Sequence, residues 1–230
     1  MKEKEEVINF YNNFAKTQGV NKRHRSIMAK LMEIGLRDAN RVLEIGCGTG
    51  SLTILMAKFL KKGSLVSLDI SPDSIEIAKK NLTSFNNVKL IAKDVINHEF
   101  DDQKFDVIVF PDVIEHIPLE SHFELFKKVE KILNPFGFIF IHIPNPAYLA
   151  WCHKNKKELL QIIDQPIYTS DLVKSVYPNG LYIDELRTYS IWVKDCDYQY
   201  IVLRKNGWQD FSIENASKPG LIERVKGKLK

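Results

Sequence analysis

Apolar positions repeat at helical spacing in two stretches near the N-terminus. Val7, Ile8, Tyr11 and Phe14 share one face, and Ile27, Met28, Leu31, Met32 and Ile34 share another before Gly35. From Arg41 the period changes. Arg41–Ile45 is a short apolar run ending in glycines, after which Leu52, Leu55, Met56, Phe59 and Leu60 return to helical spacing, closed by Gly63 behind Lys61 and Lys62. Residues 65–70 predict a second strand. Ser71-Pro72 then supplies an N-cap and a first-turn proline to a helix carrying Ile75, Ala78 and Leu82. Residues 88–92 and 105–110 predict two further strands. Residues 119–133 predict a helix, and the turn Asn134-Pro135-Phe136-Gly137 leads into the continuous apolar run 138–143, the pattern of a strand buried on both faces. Strand alternating with helix, five times over, predicts an α/β fold with a doubly wound, mostly parallel sheet and right-handed crossovers.

After Pro144 the regularity lapses. Residues 147–164 read as an added helical segment, the core of a cap spanning 147–180 that ends in a short helix, 170–177, stopped by Pro178-Asn179-Gly180. Residues 181–193 and 198–203 read as two closing strands, which makes seven in all. At 230 residues and 44% apolar composition the chain is expected to form one domain, residues 1–217, with N-terminal helices over 1–36, a core over 40–145 and closing strands over 181–204.

Charge narrows the partners. Lys218 to Lys230 holds five cations against Glu223, which accounts for the whole net charge of +4, so the pI of 8.8 describes a tail and the rest of the chain balances at zero. A basic nucleic-acid face is therefore not expected. Met1 to Glu6 alternates in charge with no apolar signal segment, and no apolar run approaches the roughly 18 to 20 residues of a membrane span, so a cytoplasmic location is expected. Cys47, Cys152 and Cys196 give neither a disulfide framework nor a C-x-x-C metal spacing.

The most informative stretch is Glu44-Ile45-Gly46-Cys47-Gly48-Thr49-Gly50, a strand running into glycines and then a helix. Glycines let the backbone approach a ligand at a helix N-terminus. The dinucleotide fingerprint G-x-G-x-x-G would need a glycine at position 51, which is Ser51. A carboxylate at Glu44 would repel a pyrophosphate but suits a ligand carrying an ammonium and a sulfonium. With Glu44, Gly46, Gly48 and Gly50 in place, the chain resembles the class I S-adenosylmethionine-dependent methyltransferases, whose first motif is [D/E]-x-G-x-G-x-G, and in particular the small-molecule type similar to the ubiquinone-biosynthesis O-methyltransferases.

The resemblance implies a Rossmann-like fold, S-adenosyl-L-methionine as cofactor and S-adenosyl-L-homocysteine as product. It assigns Glu44, Gly46, Cys47, Gly48 and Gly50 to the cofactor loop. Asp69 and the adjoining Ile70, at the end of the second strand, are implied at the ribose hydroxyls, by the same logic as in dinucleotide folds. Asp94 and Val95 are implied at the adenine, and Phe110, at the end of the fourth strand, beneath the methionine portion. Asn134 to Gly137 resembles the family's L-x-P-G-G turn with Phe136 replacing a glycine. Tyr11 and Arg25 lie where related enzymes fold a helical lid: Arg25 would meet the cofactor carboxylate and Tyr11 would close the pocket, with a solvated basic helix face as the other reading.

Methyl transfer is an in-line displacement in which positioning dominates, and only a protonated acceptor needs a base. His116, in Glu115-His116 after the fourth strand, is the first candidate for that base. Its other reading is a group that fixes the loop. His142, inside an apolar strand, reads as a hydrogen-bonded core residue, and His153 as exposed. No metal spacing is present. Phe110-Pro111-Asp112-Val113 departs from the [D/N/S]-P-P-[Y/F] motif of nucleic-acid amino methyltransferases, so the expected acceptor is a small molecule, at a hydroxyl by the Glu115-His116 resemblance. N- or C-methylation, a nucleotide-cofactor oxidoreductase and a non-catalytic cofactor-binding protein stand as alternatives. In the tail, Leu221, Ile222, Val225 and Leu229 form a basic-backed stripe that would make weak membrane-surface contact, against a frayed tail as the other reading.

Overall fold

The computed structural model describes residues 4–14 and 19–207. Two helices, α1 (Lys4–Phe14) and α2 (Lys22–Ile34), precede β1 (Arg41–Ile45), α3 (Ser51–Phe59), β2 (Ser64–Asp69), α4 (Pro72–Asn81), β3 (Val88–Ala92) and β4 (Phe105–Pro111). The chain continues through α5 (His122–Ile132), β5 (Leu133–Pro144), α6 (Pro146–Asn155), α7 (Thr169–Val176), β6 (Leu181–Tyr189) and β7 (Tyr198–Lys205). The seven strands form one sheet in the order β3-β2-β1-β4-β5-β7-β6. All neighbours are parallel except β7, which runs antiparallel to both β5 and β6. The doubly wound, Rossmann-like sheet expected from the alternation is therefore the observed one.

Alternate residues of the central strands feed two cores. Leu43, Ile45, Ile108, Phe110, Ile139 and Ile141 pack with Leu125, Phe126 and Val129 of α5 and Leu172 and Val176 of α7. Val42, Val107, Val109, Phe138 and Phe140 pack on the opposite face with Ile27 and Leu31 of α2, Leu52 and Met56 of α3 and Ala78 of α4. Burial on both faces is why these strands read as continuous apolar runs. The local signals work as expected at α4, where Ser71 Oγ accepts from Ser74 N at 3.0 Å ahead of Pro72. Asn21 caps α2 in a reciprocal box with His24, whose Nδ1 accepts from Asn21 N.

Three expectations need correction. The crossover from β3 to β4 carries no helix: residues 93–104 are turns and irregular chain, from which Val95 and Phe100 reach the core. The turn at residues 134–137 lies within the extended run of β5, as a bulge that shifts register between the Phe105 and Val107 pairings and is tied by Asn134 Nδ2 donating to Asp106 Oδ1 at 2.7 Å. Finally, the strand expected over 181–193 stops at Tyr189. Buried Asp197 draws the chain into a turn by accepting from the backbone N–H of Ile191, Trp192 and Val193 at 2.7, 2.8 and 3.3 Å.

The cap begins where this turn meets the end of β5. Asn145 N donates to Asp197 O at 2.8 Å and its Nδ2 to Cys196 O at 2.8 Å, while its Oδ1 caps α6 through Ala147 N. At the far end Gln165 N donates to Glu115 O at 3.0 Å. No helix among the described residues is long and apolar enough to cross a membrane. The basic stripe of residues 218–230 lies outside the described residues.

The two cores set the cost of truncation. Phe126 is 0% exposed and Phe136, in the β5 bulge, 97%. Urea unfolding is expected to show Phe126→Ala destabilised by about 3–5 kcal/mol and Phe136→Ala changed by no more than about 0.5 kcal/mol.

Candidate functional site

In this sheet order β1 sends its connection to β2 on one side and receives β4 on the other. A crevice opens outside the carboxyl ends at that reversal. The loop after β1 forms its floor. Gly46 N and Cys47 N both donate to Leu68 O, at 2.8 and 2.9 Å, which pins the loop to the end of β2. Gly46 sits at φ +81°, and a Cβ there would come within 2.1 Å of Val113 Cγ2, so only glycine lets the loop pass under the turn after β4. Gly50, at φ +85°, packs against Leu82 and Ala78 instead.

The cleft is bordered by Glu44 to Thr49, by Leu68 to Ile70, by Lys93 to Val95 and by Pro111 to Val113, His116 and Ile117. Val7 and Tyr11 of α1, Arg23 and His24 of α2 and Gln161 of the cap cover it. Of the residues singled out in the sequence, Tyr11, Glu44, Gly46, Cys47, Gly48, Asp69, Ile70, Asp94, Val95 and His116 come together here. Three do not. Gly50 serves helix packing. Phe110 is fully buried in the core facing α5, because strand alternation turns its side chain away and the chain reaches the cleft only from Pro111 onward. Arg25 is exposed, and Arg23, two residues earlier on the helix and so on its other side, borders the cleft.

The acidic groups are held in distinct ways. Asp69 Oδ2 accepts from Gly48 N at 2.7 Å and Oδ1 from Ser71 N at 2.9 Å; burial raises its carboxyl above the ordinary value against those two donors. Asp94 accepts from Ile96 N at 3.0 Å and Asn97 Nδ2 at 2.9 Å. Glu44 is fully buried, and its Oε2 accepts from Thr53 Oγ1 at 2.6 Å and Ser67 Oγ at 2.8 Å. Its Oε1 has no hydrogen-bond partner among the described residues. Burial pushes Glu44 up to about 7, with Thr53 and Ser67 opposing. Cys47 is likewise raised well above its ordinary value by burial, so it is a thiol and not a thiolate.

A second cluster was not legible in advance. Asp112 adopts φ +58°, and its Oδ1 meets His142 Nδ1 at 2.7 Å. Its Oδ2 lies 3.2 Å from Arg23 Nε, an ion pair without hydrogen-bond alignment. Burial works to raise Asp112, but Arg23 and His142 outweigh it and hold the carboxyl at about 2. His142 is fully buried and its Nε2 meets Tyr189 Oη at 2.6 Å, as befits a hydrogen-bonded core residue. His24 is pushed down to about 4 by burial and by Arg23. His153 is not exposed as expected: it is half-buried, with Nε2 donating to Asp164 O at 2.6 Å.

His116 also borders the cleft, its ring 5.9 Å from that of Tyr11. Its Nδ1 meets the carbonyl oxygen of Ile163, which can only accept, so Nδ1 carries the proton and Nε2 presents a lone pair. Burial lowers its pKa, opposed by Asp164 and the Ile163 carbonyl, which leaves a neutral imidazole at neutral pH. Neighbouring Glu115 is buried and raised well above the carboxylate range, first by burial and then by the charge of Asp112. Tyr11 Oη and Gln161 Oε1 are buried at the cleft with no hydrogen-bond partner among the described residues. Among the described residues no group of three or more His, Cys, Asp or Glu is placed to hold a metal ion.

The Glu44 environment has a measurable signature. Its carboxyl keeps a proton in the folded state between about 4.5 and about 7 that the unfolded chain releases, so its contribution to stability falls as pH rises through that window. The loss is about 3 kcal/mol for a shift of this size. In urea titrations from pH 4.5 to 8, Glu44→Gln is expected to gain stability relative to wild type by that order.

Comparison with known proteins bears on the family and the fold. The family described as a methyltransferase domain matches residues 36–182. Demethylmenaquinone methyltransferase from Staphylococcus aureus is 27% identical over 110 residues, which cover 47% of this chain and 45% of that protein, so the match spans less than half the length of the curated relative. The crystal structure of the N-methyltransferase NodS from Bradyrhizobium japonicum in complex with S-adenosyl-L-homocysteine superimposes with a TM-score of 0.69 at 17% identity, covering 86% of this chain and 98% of that one. Magnesium protoporphyrin IX methyltransferase from Synechocystis with bound S-adenosylmethionine gives 0.66 at 17% identity, covering 89% and 98%. These likenesses are to the fold, while the family match covers well over half of the sequence: the chain belongs to the methyltransferase domain family.

Proposed function

We propose that this chain transfers a methyl group from S-adenosylmethionine to a hydroxyl oxygen of a small molecule, with His116 as general base. The observation that carries the reading is the pairing of a buried, partly unpartnered carboxylate at Glu44 with a His116 whose Nε2 is left as a base. A carboxylate lacking a counterion beneath the glycine loop favours a cation above it, which a dinucleotide pyrophosphate is not. When bound, S-adenosylmethionine supplies an electrophilic methyl group on a sulfonium.

The chain's own residues would do the rest. Asp69, fixed by Gly48 N and Ser71 N, stands ready for a pair of ribose hydroxyls, and Asp94 and Val95 border the end of the cleft expected to take the adenine. Arg23, which borders the cleft beside Asp112 where Arg25 does not, would meet the cofactor carboxylate. Tyr11 covers the cleft from α1, and the cap over 147–180 walls the acceptor side through Gln161. As the acceptor oxygen bonds to the methyl carbon, His116 Nε2 takes the hydroxyl proton, and burial, by lowering its pKa, favours the neutral ring that can do so. S-adenosyl-L-homocysteine would be the product.

Calorimetry with S-adenosylmethionine is expected to show binding on the order of micromolar that is lost in Asp69→Ala. As Glu44 ionises, affinity for the cationic ligand should rise between pH 6 and 8, by roughly tenfold, and Glu44→Gln should flatten that rise. With methyl-labelled cofactor and a cell extract, label should enter the small-molecule fraction. His116→Ala should lower that transfer by about 10²- to 10⁴-fold with cofactor binding unchanged. No binding to wild type would overturn the reading, and binding without any transfer would mark a non-catalytic cofactor-binding protein.

A further inference from the structure

The segment at 160–165, the last part of the cap before α7, closes over the turn that carries His116. Gln165 N donates to Glu115 O at 3.0 Å, and Gln165 Nε2 to Ile117 O at 2.9 Å. Ile163 O accepts a hydrogen bond from His116 Nδ1. Beside it, Asp164 Oδ1 lies 3.3 Å from the same Nδ1, with the two side chains only 10% (His116) and 7% (Asp164) exposed. Asp164 is itself held on two sides: Gln161 N donates to its Oδ2 at 2.6 Å, and His153 Nε2 of α6 donates to its backbone oxygen at 2.6 Å.

The Ile163 carbonyl alone would fix the tautomer, so the carboxylate adds something the carbonyl lacks, a full charge against the ring. The other groups facing His116 supply less of it: Asp112 also favours the charged ring, but Arg23 opposes it. Glu115 Oε1, 3.9 Å from Nε2, belongs to a carboxyl raised toward its neutral form. Asp112, from the loop after β4, is matched by Arg23 of α2 and by His142 of β5. Tyr11 of α1 offers a ring face. Asp164, 3.3 Å from Nδ1, is the carboxylate that acts most strongly on His116.

We propose that Asp164 is a positioning residue that holds the His116 ring for proton abstraction and stabilises the imidazolium formed when Nε2 takes a proton from the acceptor. The cap would then supply part of the catalytic machinery as well as the acceptor wall. The inference rests on the general-base reading of His116. In chemical terms the acceptor O–H bond breaks, its proton moves to Nε2, and the positive charge that develops on the ring is met by the Asp164 carboxylate 3.3 Å from Nδ1, while Nδ1–H stays on Ile163 O.

NMR of ¹⁵N-histidine-labelled full-length protein titrated with pH reads this without an identified acceptor. In wild type the His116 ring is expected as the Nδ1–H tautomer. In Asp164→Asn its pKa should fall by about one unit, because the charge that favours imidazolium is gone, while Asp164→Glu should stay near wild type. Binding of S-adenosyl-L-homocysteine should be the same in all three. Transfer of label to cell extract should fall about tenfold in Asp164→Asn, with the acid limb of its pH profile moved to lower pH. An unmoved His116 pKa in Asp164→Asn overturns the role of Asp164 alone, whereas an Nε2–H tautomer in wild type overturns Nε2 as the base as well. Undiminished label transfer in His116→Gln overturns the general-base reading, and with it the catalytic part given to Asp164.

Discussion

The approach of the β1 loop to its two neighbours is the constraint on which the rest of the site depends. Gly46 and Cys47 share one acceptor, Leu68 O, at the end of β2, while Gly46 lies against Val113 just past β4. One short stretch of backbone thus sets the distance between the two halves of the sheet at the point where the strand order reverses. Everything that borders the cleft inherits its position from that junction: Asp69 through Gly48 N, Asp112 and His116 through the turn that Val113 begins. A side chain at position 46 would force these elements apart rather than fill a space.

The electrostatics divide along the same line. On the β1–β2 side, carboxylates are buried with backbone and hydroxyl donors but no cation, so they sit at raised pKa and favour a positively charged ligand. On the β4–β5 side, Asp112 is matched by Arg23 and His142. The imidazole of His116 is left neutral there, its proton committed to Nδ1. Such an arrangement suits chemistry in which one ligand is cationic and the other gives up a proton.

How much of this could be read in advance follows from the range over which each signal acts. The doubly wound, mostly parallel sheet and the glycine loop were legible because backbone demands repeat locally: apolar runs buried on both faces, glycines where φ is positive, a serine and proline opening α4. Asp69 was legible from its place at a strand end. Arg25 was chosen over Arg23 because sequence proximity says nothing of helical phase until the packed face of α2 is known. Phe110 was misplaced by a single residue, which on a strand reverses the face. The Asp112–His142–Tyr189 chain and the Asp164–His116 contact join residues 30 to 48 apart, and no periodicity carries such pairs. The missing helix between β3 and β4 and the turn around Asp197 likewise depend on contacts made after the chain has folded.

The cap enters through Asn145, which the buried turn at Asp197 holds by two hydrogen bonds, and leaves through Gln165, which is tied to the His116 loop. Between these anchors some twenty residues contribute no side chain to either core. A lineage carrying this fold can therefore exchange, lengthen or resurface that stretch while both cores and the glycine loop remain intact, since changes confined to an element anchored at its ends leave the scaffold's folding unaltered. Acceptor choice and proton handling would then be inherited together, as one exchangeable piece, and the older half of the cleft would persist beneath a succession of different covers.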